Sequence, residues 1–88
     1  MYYWRVDSNA EFFSVLRSLI EKWCDRRCLK ALYRILGAYL GFNGLTDSWV
    51  DLRTALQDVR AFARTELMAD ELKDVDELIR AADRALHK

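Results

Sequence analysis

The chain has 88 residues and a mass of 10.4 kDa, which suits one hydrophobic core and leaves too little for a second. Hydrophobic residues make up 52% and charged residues 32%, a globular composition that excludes an intrinsically disordered chain. Fourteen Lys+Arg balance fourteen Asp+Glu, so the basic surplus of a non-specific DNA or anionic-membrane binder is missing.

Residues 1–7 form an aromatic N-terminal arm. Met1-Tyr2-Tyr3-Trp4-Arg5-Val6-Asp7 lacks the basic start, apolar stretch and small-residue cleavage site of a signal peptide. Its residues are strand-prone, but nothing else in the chain offers a pairing partner. An apolar arm laid across a helical body is therefore expected, with an arm exchanged with a second copy as the alternative.

Helical periodicity takes over at Ser8, and proline is absent. Ser8-x-x-Glu11 has the form of a capping box, followed by an apolar stripe at Phe12, Leu16, Leu19, Ile20 and Trp23. The first helix is predicted over about 8–24. A second stripe, Leu29, Leu32, Tyr33, Leu36, Tyr39 and Leu40, predicts a helix over about 28–40. A tight turn at 24–27 separates them, the alternative being one kinked helix over 8–40.

Gly41 is expected in the left-handed conformation that ends the second helix, with Asn43-Gly44 as a further turn. Thr46 is expected to cap the third helix, over about 47–65, with Leu45 and Val50 as a hydrophobic staple. Trp49, Leu52, Leu56, Val59 and Ala63 repeat at alternating intervals of three and four. The fourth helix, about 70–86 with Asp70 as its cap, repeats the rhythm in Leu72, Val75, Ile79, Ala82 and Leu86.

The expected fold is thus all-α: a single-domain antiparallel bundle of four helices, or three if 8–40 is one unit. The expected core is Phe12, Leu16, Leu19, Ile20, Trp23, Leu32, Leu36, Leu40, Leu52, Leu56, Val59, Phe62, Leu72, Val75, Ile79 and Leu86.

Chemistry-bearing residues are sparse. The single histidine, His87, cannot form a His-pair metal site or an ordinary His-centred triad. Cys24 and Cys28 lack the second ligand cluster of structural zinc and the C-x-x-C spacing of a redox pair, so Cys24 is expected as a small core residue. With no secretion signal, both thiols fit a reducing cytoplasm. The Gly41–Trp49 connector matches neither a dinucleotide fingerprint nor a P-loop, and Gly37-x-x-x-Gly41, a GxxxG outside any membrane helix, reads as a close helix crossing at Gly37 and Ala38. The longest apolar run, Ile35 to Phe42, falls short of the ~20 residues that span a bilayer. No enzyme, metal or cofactor is expected, and no membrane association.

Charge is unevenly distributed. Residues 17–34 hold Arg17, Lys22, Arg26, Arg27, Lys30 and Arg34 against Glu21 and Asp25. Residues 66–77 hold Glu66, Asp70, Glu71, Asp74, Asp76 and Glu77 against Lys73. These segments read as solvated faces or as mutually attracting elements that favour one helix order.

The functional expectation is a small, non-enzymatic protein-interaction module in the cytoplasm. It acts as a homodimer or docks on a larger bacterial or phage protein. Surplus aromatics mark its interface candidates, Tyr2, Tyr3, Trp4, Tyr39, Phe42 and Trp49, joined by Arg26, Arg27 and Arg34. The alternatives are a nucleic-acid-associated protein using the basic 26–34 surface, and an inhibitor or antitoxin-like protein using the acidic 66–77 face.

Overall fold

The computed structural model describes residues 9–86, which fold into four α-helices: α1 (Asn9–Asp25), α2 (Leu29–Leu40), α3 (Thr46–Phe62) and α4 (Ala69–Leu86). A 3₁₀ turn, Arg64–Glu66, joins α3 to α4, so the expected end of the third helix at 65 is a tighter turn of backbone. The predicted arm (Tyr2, Tyr3, Trp4) and the Ser8 cap lie outside the described residues. Side-chain pairs fix the helix directions. Phe13 meets Tyr39 and Phe42, Arg53 meets Asp83, Arg60 meets Asp76, and Trp23 meets Glu71. Each helix runs antiparallel to its sequence neighbours, and α4 packs back against α1, in an all-α bundle of 36 × 34 × 20 Å.

The turn between α1 and α2 separates two helices, as expected, and excludes one kinked helix over 8–40. The Cys28 N–H donates to the Trp23 carbonyl at 2.8 Å and the Arg27 N–H to the Cys24 carbonyl at 3.2 Å. These are the two bonds of a Schellman ending, and they place Arg27 at the left-handed position with φ 57°. A side chain with a Cβ is strained there, whereas glycine is not. Arg27→Gly is therefore expected to raise stability by up to about 1 kcal/mol. Urea unfolding followed by tryptophan fluorescence checks this, and a lower midpoint would contradict it.

The other helix ends differ from expectation. Gly41 ends α2 at φ −89°, outside the left-handed region, and the positive φ falls instead on Gly44, at 84°. The capping position of α3 is held by Leu45 in extended conformation, with Thr46 already the first helical residue. Asn43 Oδ1 accepts the Leu45 N–H at 3.0 Å and the Ser48 hydroxyl donates back to the Leu45 carbonyl at 2.7 Å. Leu45 itself is 65% exposed, so no hydrophobic staple covers it. At α4, Met68 occupies the place expected for Asp70. Its carbonyl accepts the first helical bond, from Leu72, and its N–H donates to the Glu71 carboxylate three residues on.

Most of the expected core is buried: Phe12, Leu16, Leu19, Ile20, Trp23, Leu32, Leu52, Leu56, Val59, Val75 and Ile79, with Ile35 and Leu78 beside them. Leu36, Leu72 and Leu86 are half-buried. Leu40 and Phe62 are exposed at 76% and 60%, because each lies on the side of its helix turned away from the bundle axis. The expectation of Cys24 as a small core residue is corrected. Cys24 is exposed, while Cys28 is buried where the turn tucks under Trp23.

Candidate functional site

Two polar or aromatic assemblies hold the bundle together, and a third feature is left facing solvent. The first assembly closes the aromatic end. Trp49 packs edge-on against Phe12 at 5.2 Å and against Phe42 at 4.9 Å between ring centroids. Phe13 stands 4.8 Å from Phe42 and 6.4 Å from Tyr39. Edge-to-face aromatic pairs contribute about 0.5–1.5 kcal/mol each beyond area burial. Of the expected interface aromatics, Trp49 is therefore a core residue at 8% exposure, and Tyr39 and Phe42 are half-buried in the same cluster.

The second assembly lies at the opposite end and joins the oppositely charged segments. Glu71 is 2% exposed, and its carboxylate accepts both arms of the Arg26 guanidinium, at 2.7 and 2.6 Å. It also accepts the Trp23 indole N–H at 3.3 Å and the Met68 N–H at 3.1 Å. The bidentate bond to Arg26 is the main cause that holds the Glu71 carboxyl down at about 2 against its ordinary 4.5, although burial pushes the other way. The same bond raises the Arg26 guanidinium further above its ordinary value.

Beside this pair, the Glu66 carboxylate accepts the Ala31 N–H at 3.0 Å and the Lys30 N–H at 3.4 Å. α2 has no side-chain cap of its own, so a carboxylate from the 3₁₀ turn, distant in sequence, satisfies its orphaned donors. Arg26 Nη2 and Cys28 Sγ both donate to the Glu66 carbonyl. The mutual attraction expected between the basic and acidic segments is thus real in this structure. It engages Arg26, Glu66 and Glu71 internally, while Asp76 meets Arg60 and Glu77 meets Arg80.

The third feature is the outer face of α2. Its inner face buries Ala31, Leu32 and Ile35. On the other side, Leu29, Tyr33 and Leu40 stand 68%, 84% and 76% exposed, with the exposed Gly37 between them. A helix apolar on both sides normally belongs in an interior. Here one of those sides has solvent over it among the described residues. At the N-terminal end of this face, Leu29, Lys30, Tyr33 and Arg34 combine with the exposed ring of Phe62 from α3 to line an open groove of about 500 Å³. The Arg34 guanidinium lies 4.6 Å above the Phe62 ring centroid, a cation–π contact.

Of the residues expected at an interface, Arg34 lines this groove. Arg27 is exposed in the preceding turn, and Arg26 is bound to Glu71. Sequence reasoning missed Leu29, Tyr33, Leu40 and Phe62 because it assigned them to one broad apolar stripe or widened face. The available signal was the breadth of the α2 stripe, which is too wide for one side of a helix to bury.

No described helix is long and apolar enough to cross a membrane. Compared with family models, curated proteins and solved structures, the chain matches none.

Proposed function

We propose that this protein is a non-enzymatic interaction module that docks a partner protein on the outer face of α2. The observation that carries the reading is the exposed row Leu29, Tyr33 and Leu40 with Phe62 beside it, in a chain whose inner apolar faces are already packed. Keeping such residues in water forgoes about 1.5–3 kcal/mol of burial at each large side chain, which a partner recovers on binding. Tyrosine and arginine are the types that dominate interface energetics, and the groove holds one of each. The nucleic-acid alternative is less favoured because its 26–34 surface is partly spent: Arg26 closes on Glu71.

Photo-crosslinking in the native cell tests the reading. A crosslinking amino acid at position 33 is expected to capture one adduct of defined mass that the same group at the exposed Thr54 does not. Leu29→Ser with Leu40→Ser should abolish that adduct while leaving the thermal midpoint nearly unchanged, since both side chains are already solvated. The same adducts from positions 33 and 54 would overturn the assignment.

A further inference from the structure

The docking face has a chemical bias as well as a shape. The groove is walled by Leu29, Tyr33 and Phe62 and rimmed by Lys30 and Arg34, with no carboxylate in its lining. α2 contains no acidic residue at all. Two carboxylates beside the start of α2 are engaged elsewhere: Glu66 on the backbone N–H groups of Lys30 and Ala31, and Glu71 on Arg26. The Arg34 guanidinium carbon lies 4.6 Å from the Phe62 ring centroid. A guanidinium at this rim can make a bidentate contact with a carboxylate, a geometry that lysine does not offer.

Building on the reading of α2 as a docking face, we propose that the groove takes a short acidic amphipathic helix of a partner protein. Its apolar residues rest against Leu29, Tyr33 and Phe62, and its carboxylates meet Lys30 and Arg34. The footprint agrees. The outer face of α2, whose N-terminal end lines the groove, is about 18 Å long, the length of a single helix of about three turns.

A second copy of this chain fits less well. A two-fold axis that centres two copies on the groove, crossing α2 near Leu32, brings Lys30 of one copy over Arg34 of the other, with no acidic residue on α2 between them. The start of α1, at Asn9, lies at the aromatic end of the bundle and not at the groove, since Phe13 is at Tyr39 and Phe42 while Phe62 is at Arg34.

Selection of random 14-residue peptides displayed on phage against the full chain tests the proposal, with affinities of the synthetic winners read by fluorescence anisotropy. The expected winners carry Leu, Phe or Trp at helical spacing together with Asp or Glu. Their binding should weaken with added salt and fall about tenfold for Arg34→Glu. Lys30→Glu should act in the same direction, and peptides with Lys in place of Glu should recover affinity for the reversed groove.

Winners without acidic residues that still lose binding on Tyr33→Ser would overturn the acidic partner and leave the docking face standing. Winners indifferent to Tyr33→Ser and Phe62→Ser, or no winners at all, would sink both. Two further results would overturn the proposal in favour of other occupants. One is a salt-resistant dimer that Tyr33→Ser dissolves, which gives the face to a second copy. The other is a gain in peptide affinity for Trp4→Ala, which gives it to the chain's own N-terminal residues.

Discussion

Glu71→Ala is expected to destabilise the fold by about 3 kcal/mol, the lower end of the range for removing one partner of a buried ion pair. The lower end applies because the Arg26 side chain is 32% exposed and regains water when its partner is lost. The remaining cost comes from neutral donors. The Trp23 indole N–H, in a side chain with no exposure, and the Met68 N–H both lose their acceptor. Glu71→Gln keeps a carbonyl oxygen for those donors but turns an amide toward the guanidinium, so its effect should be smaller. Urea unfolding at neutral pH measures both, and a loss below about 1 kcal/mol for the alanine variant would show that water replaces the carboxylate.

The same residue sets an acid limit. Its folded pKa lies below the unfolded value, so the stabilisation from Glu71 is fully present above about 4.5 and is lost as pH falls through about 2. Asp74 works in the opposite sense. Burial, chiefly, holds its carboxyl above the ordinary 3.8, despite nearby Lys22, so acidification first relieves a small cost there. Wild type should therefore lose stability between about pH 4.5 and about 2, and Glu71→Gln should show a flatter acid limb.

The second large effect separates two leucines that sequence periodicity treats alike. Leu56→Ala should cost about 2–5 kcal/mol, because Leu56 has no exposure at the centre of α3 and its removal leaves a cavity the bundle cannot fully close. Leu40→Ala should change stability by less than about 0.5 kcal/mol, because that side chain is 76% exposed at the end of α2. A small domain has only about 5–15 kcal/mol to lose, so Leu56→Ala removes a large share of its stability. Equal melting shifts for the two variants would mean that Leu40 is covered in solution.

The contrast between these leucines shows how far periodicity reaches. Helix existence, number and approximate limits were legible because each helix buries a stripe whose spacing is local: Phe12 to Trp23 on α1, and Trp49 to Val59 on α3. Local signals also marked the turn at 24–27, but its residue at the left-handed position is an arginine, which propensity would never select. Caps failed where the capping group came from the wrong place or from farther away. Met68, rather than Asp70, starts α4, because Glu71 reaches back to its N–H. Nothing near α2 in sequence announces that Glu66 caps it.

Amino-acid order alone thus determined an all-α chain of four helices and most of its core, because the hydrophobic effect acts on side-chain spacing along each helix. Tertiary packing decided the rest. It chose which side of α2 faces inward, drew Trp49 into the core, and closed Arg26 onto Glu71 across a separation of 45 residues. It also left Leu29, Tyr33, Leu40 and Phe62 in water. Those outcomes depend on which neighbours remain to cover a surface, and that follows from how the helices pack rather than from periodicity within any one of them.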